Sequence, residues 1–181
     1  MFWLAEDAFT RFVSLTWERQ ELPSPANGED EQVGEFAEIE QAEEFAEAGT
    51  EASDVERYTV TGDGAQWRQI GSLHYVSYVD AAEAGEPGDR VTLKLEADKL
   101  TMVRHGSVRW NPTFQAGLTH HSTMVLGSTS IPTQTRTEQL AIDVGPDGGE
   151  VLLAYELELG SLHQRIRLRI RFAAASEQTT N

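Results

Sequence analysis

Residues 151–172, VLLAYELELGSLHQRIRLRIRF, decide the fold. Four arginines, Arg165, Arg167, Arg169 and Arg171, alternate there with Ile166, Leu168, Ile170 and Phe172. A period of two sends successive side chains to opposite faces, so this is a β-strand with one cationic and one apolar face. Just upstream, Val151, Leu153, Tyr155, Leu157 and Leu159 alternate with Leu152, Ala154, Glu156 and Glu158. A turn around Gly160-Ser161-Leu162 joins the two runs as an antiparallel hairpin. Parity then places Tyr155 and Leu157 on the side of Ile166 and Leu168, and Glu156 and Glu158 on the side of Arg165 and Arg167. Cross-strand pairs of this kind contribute about 0.2–1 kcal/mol each.

The same pattern extends towards the N-terminus. Gly145-Pro146-Asp147-Gly148-Gly149 is a turn signal ahead of the hairpin. Further strands are predicted over residues 10–21, 55–61, 73–79, 91–95, 100–104, 108–110, 119–126, 129–137 and 139–144. In the 73–79 strand Tyr75 and Tyr78 fall on opposite faces. Turn signals recur about every 8–12 residues, which suits an all-β sandwich or barrel and not alternating βαβ units.

Charge divides the chain. It has 181 residues, 30 acids, 14 Lys or Arg and a net charge of -16. No Lys or Arg lies between Arg19 and Arg57, whereas that interval holds thirteen acids. It opens on Pro23-Ser24-Pro25-Ala26-Asn27-Gly28, a linker composition, and Phe36, Ile39, Ala42 and Phe45 then recur at helical spacing. The expectation is one domain over residues 1–181. Its first strand covers about 9–22, an acidic, partly helical or disordered insertion about 23–54, the barrel body about 55–172, and a tail 173–181.

The composition excludes several classes. An acidic surface repels a phosphate backbone and an anionic membrane, so neither nucleic acid nor membrane is an expected partner. The absence of cysteine removes disulfides, iron–sulfur clusters and a cysteine nucleophile. No apolar run of about 18 residues occurs, and Glu6 and Asp7 follow an N-terminus without a basic region, so a cytoplasmic location is expected.

Over residues 71–172 the chain resembles the YwiB-like family of small bacterial proteins. The resemblance rests on Leu73-His74-Tyr75-Val76-Ser77-Tyr78, Val91-Thr92-Leu93-Lys94-Leu95 and Leu100-Thr101-Met102-Val103-Arg104. It continues through Gly106-Ser107-Val108, Asn111 to Phe114 with Gly117, Thr135 with Thr137, Pro146-Asp147-Gly148-Gly149 and Ala154-Tyr155-Glu156-Leu157. It implies an all-β fold, an antiparallel calycin/lipocalin-like β-barrel of about 8–10 strands. It carries no catalytic residues over. The acidic insertion departs from the family's compact form.

Chemical motifs are sparse. The histidines, His74, His105, His120, His121 and His163, lack metal-ligand spacing, and no nucleophile elbow, Walker loop or dinucleotide fingerprint is present. No metal, cofactor or catalytic residue is expected, and the reading is non-enzymatic. Two features could carry function. The first is the barrel interior, where Tyr75, Leu93, Met102, Tyr155, Leu157, Ile166 and Leu168 are expected to line a site for a small apolar or amphipathic ligand. The second is the stripe Arg165, Arg167, Arg169 and Arg171, an interaction face for an acidic protein partner. Glu156 and Glu158 can serve only part of it, so residues 29–56 are expected to lie near it, within one chain or across a homodimer.

Overall fold

The structure is a computed structural model that describes residues 8–22, 55–80 and 88–174. The predicted hairpin is present as β11 (Gly148–Leu159) and β12 (Leu162–Ala174), with Tyr155 opposite Ile166 and Leu153 opposite Leu168. Ile166, Leu168, Ile170 and Phe172 are all buried, so the alternation reads the core face correctly.

The sheet grows from both sides of this hairpin, with every pairing antiparallel. On one side β11 pairs with β10 (Thr129–Gly145), which pairs with β9 (Thr119–Leu126). On the other side β12 pairs with β1 (Ala8–Leu22). The far edge of β1 is shared by β2 (Val55–Val60) and β3 (Ala65–Ile70), which a short 3-10 turn at Gly62–Gly64 separates. A meander of β4 (Leu73–Val79), β5 (Arg90–Leu95) and β6 (Leu100–His105) follows.

Closure falls to residues 108–114. There β7 (Val108–Arg109) pairs with β9, β8 (Thr113–Phe114) pairs with β6, and Trp110 bridges to Arg104. One short segment therefore holds both ends of the sheet and curls it into a barrel. Among the described residues ten strands have six residues or more, and β7 and β8 have two each. No helix of the described residues is long and apolar enough to cross a membrane.

Three details differ from the sequence reading. The strand β3 was not expected: only Ala65 and Trp67 face the core, and Gln66 and Arg68 dilute the signal. The runs 129–137 and 139–144 are one strand, because a bulge shifts the register between Thr137 and Gln139. A bulge adds one residue to one side, which imitates a break in alternation. The strand β12 runs on to Ala174, past the expected boundary at 172. The acidic insertion 23–54 and the end of the tail, 175–181, lie outside the described residues.

The core fills the barrel unevenly. At the end that holds the start of β1, Trp67 packs edge-on against Phe9 at 4.8 Å and Phe172 at 5.2 Å between ring centroids. Phe114, fully buried, packs at 4.9 Å against Tyr155. The opposite end, where β1 carries Trp17, is open.

Candidate functional site

A cavity of about 500 Å³ enters that open end. Its wall is apolar and aromatic: Trp17, Val91, Met102, Trp110, Met124, Leu157, Ile166 and Leu168 contribute to it. Tyr58, Tyr78 and Tyr155 bring phenol groups, and Arg19, Glu56, Arg57, Asp80 and Arg104 form a charged rim. Each position follows from strand parity. On β12, Ile166 and Leu168 point inward because the arginines between them point out; on β4, Val76 and Tyr78 take the core face and lie opposite Leu93 and Val91.

Arg104 orders the rim. Its Nε donates to Asp89 at 2.8 Å, and its guanidinium bridges Asp80 at 3.0 Å. Asp89 is only 4% exposed. It also accepts from the Ser107 backbone at 2.6 Å, the Ser107 hydroxyl at 2.9 Å and the Val108 backbone at 3.2 Å. Burial alone pushes this carboxyl up, but the hydrogen bonds outweigh it and hold Asp89 below the ordinary carboxylate range. The result is a pin between β5 and the loop that leads into β7, which places Val108 and Trp110 against the cavity. The other rim arginines are also paired: Arg19 bridges Glu21 at 2.8 Å and Glu56 at 3.4 Å, and Arg57 bridges Glu18 at 2.9 Å.

The three phenols stand close together. Tyr58 donates to the Val79 carbonyl. Burial raises Tyr78, and Asp80, Tyr58 and Tyr155 raise it further as electrostatic neighbours, against an opposing pull from Arg104. Burial likewise pushes Tyr155 up to about 12. Both are therefore neutral hydrogen-bond donors at physiological pH. Neither hydroxyl has a hydrogen-bond partner among the described residues.

Of the residues expected inside the barrel, Met102, Tyr155, Leu157, Ile166 and Leu168 line the cavity. Leu93 is fully buried beside Met102 and is not part of the cavity wall. Tyr75 is a correction: it sits half-buried on the other face of β4, opposite Lys94, and Tyr78 holds the inward position. The strand carries large residues on both faces, and sequence alone did not rank them. Trp17, Tyr58 and the rim charges were not singled out either, because they converge only when β1 and β2 meet β11 and β12.

The arginine stripe is on the outer face, and its counter-charges differ from those expected. Arg165 bridges Glu138 at 3.0 Å, Arg169 bridges Glu150, and Arg171 bridges Glu18 at 3.1 Å. Glu156 lies directly opposite Arg165 but turns to Arg136 at 3.7 Å, and Glu158 meets His163 at 3.2 Å. The bulge of β10 explains the switch, because it aims Glu138 at Arg165. An open depression of about 580 Å³ runs along Ser14, Thr16, Glu150, Arg169 and Arg171, and its arginines are those already bridged. The expected approach of residues 29–56 to the stripe falls almost wholly outside the described residues; the described Glu56 pairs with Arg19. Trp67, Tyr78 and Trp110 are buried and offer no stacking surface on the outer face. No group of three or more His, Asp or Glu side chains among the described residues could hold a metal ion.

The fold and this cavity define a small antiparallel barrel with an internal pocket at one end. The chain belongs to the family described as a domain of unknown function, DUF1934, whose profile matches residues 44–170. Among solved structures it is similar to the ywiB protein from Bacillus subtilis. That likeness has a TM-score of 0.67 at 13% identity, covers 92% of this chain and 94% of that one, and shows the fold. Among curated proteins, no sequence relative matches the chain.

Proposed function

We propose that the chain is a non-enzymatic binding protein that holds a small amphipathic molecule in the mouth of its barrel. The observation that carries this reading is the cavity itself: about 500 Å³, walled by apolar and aromatic side chains, with a few convergent phenols and a charged rim. Ligand sites have this size and this mixture of a broad apolar wall with few polar groups. A barrel that needed only a solid core would gain stability by filling such a space with side chains, since dispersion contacts are forfeited at a void. The outer stripe gives less support to a protein-interaction role, because Arg165, Arg169 and Arg171 are bridged by carboxylates of the same sheet.

The test uses the full chain and N-phenyl-1-naphthylamine, a neutral apolar fluorophore. Trp17 and Trp110 in the cavity wall should transfer energy to the bound probe. Titration should saturate at one probe per chain. Leu159→Trp and Met102→Trp each place an indole in the cavity and should weaken binding by about tenfold or more, the equivalent of about 1.4 kcal/mol. Unaltered probe affinity in both variants, with their circular dichroism spectra still those of the folded barrel, would refute the reading.

A further inference from the structure

The rim and the phenols together restrict which molecule the cavity accepts. Arg19, Arg57 and Arg104 are the cations of its lining, and each is already bridged to a carboxylate: Arg19 to Glu21 and Glu56, Arg57 to Glu18, Arg104 to Asp80 and Asp89. A ligand carboxylate would meet three arginines that already face five carboxylates, Glu18, Glu21, Glu56, Asp80 and Asp89. A ligand ammonium would meet Glu56 and Asp80, the acids of the lining, each held by an arginine. A charged head group would thus leave water for an apolar pocket without a counter-charge, which is costly. The polar groups still available are of another kind. Tyr78 and Tyr155 are 5% and 6% exposed, both line the cavity, and neither hydroxyl has a partner among the described residues. A hydroxyl that lines the cavity and is not engaged by the protein is a donor that a ligand acceptor can take.

We infer that the cavity selects a neutral molecule, with an apolar body in the barrel mouth and a carbonyl, ester or alcohol oxygen against Tyr78 and Tyr155, over an acid or an amine of the same length. The inference rests on the cavity being a ligand site. Tyr58 does not compete for this role, since its hydroxyl is given to the Val79 carbonyl.

Displacement of bound N-phenyl-1-naphthylamine at neutral pH separates the classes, with 2-decanone, decanol, decanoate and decylamine as competitors below their aggregation limits. The ketone and the alcohol should displace the probe at concentrations about tenfold lower than decanoate or decylamine. The pair of substitutions Tyr78→Phe and Tyr155→Phe should weaken the ketone by about five- to tenfold relative to the probe measured in the same variant, because the rings stay and only the donors go. Equal or tighter binding of decanoate or decylamine overturns the inference, and so does a ketone affinity untouched by the two substitutions. A wild-type chain that never binds the probe overturns the binding reading as well, so the two failures are distinguishable.

Discussion

Asp89→Asn is the substitution that most directly tests how the cavity is held together. One carboxylate oxygen of Asp89 accepts from the Ser107 backbone at 2.6 Å and its hydroxyl at 2.9 Å; the other accepts from Arg104 at 2.8 Å and the Val108 backbone at 3.2 Å. An asparagine must point its amide nitrogen at one of these sets. The Ser107 hydroxyl can rotate, but the backbone N–H beside it cannot, and the other side offers only donors. The substitution therefore creates a donor–donor clash in a site 4% exposed, and it removes one of the two carboxylates that face Arg104, leaving Asp80 as the charged partner. Breaking a buried, hydrogen-bonded charge pair costs about 3–5 kcal/mol. For a domain of this size that is a fall in Tm of about 6–20 °C.

The pH dependence has a definite sign. Hydrogen bonding holds Asp89 below its unfolded value, so its stabilisation is complete above the ordinary carboxylate range, about pH 4, and is lost as pH falls through the lowered folded value. Urea unfolding of wild type and variant should give a constant gap from about pH 5 to 7 that narrows below about pH 4. A gap under about 1 kcal/mol at neutral pH, in the range of an exposed ion pair, would show that the pin is not a structural element.

Three further outcomes are expected. Gly106→Ala should destabilise the same pin: at φ +152° a Cβ would lie 2.0 Å from an Asp89 carboxylate oxygen. In a double-mutant cycle with Asp89→Asn the losses should be less than additive, whereas strict additivity would mean that the two residues act separately. Thr137→Val should be neutral or stabilising by up to about 1 kcal/mol in thermal unfolding, since the Thr137 hydroxyl is buried without a partner among the described residues and the valine keeps its shape. Arg165→Gln should cost less than about 1 kcal/mol by the same assay, because its bridge to Glu138 is partly exposed and solvent screens it; a loss above about 2 kcal/mol would make the stripe a structural element.

The hairpin shows why so much of the fold was legible. Tyr155 and Ile166 are separated by ten residues in the chain, and a two-residue loop fixes their register, so parity alone places them opposite each other. Glu138 shows where such reasoning stops. Its pairing with Arg165 depends on a bulge that shifts β10 by one residue against β11, and nothing in the local alternation distinguishes a bulge from a gap between two strands. Tyr75 and Tyr78 make the same point on β4, whose two faces carry comparable apolar bulk. Asp89 carries no distinctive sequence signal, because a single aspartate after a glycine reads as turn chemistry; its importance comes from Arg104 and Ser107, which reach it from across the β5–β6 pair.

The sequence by itself determined that the chain is all-β, where most strands begin and end, and which face of β11 and β12 is apolar. These properties follow from side-chain alternation and turn residues, which act over a few positions. Tertiary structure alone decided the closure of the sheet through residues 108–114, the inward face of β4, the partners of the arginine stripe, and a cavity that gathers Trp17, Tyr58, Tyr78 and Tyr155. The physical reason is range. A cavity exists where strands distant in the chain curve around a space their side chains do not fill, and that depends on the register and curvature of every strand at once.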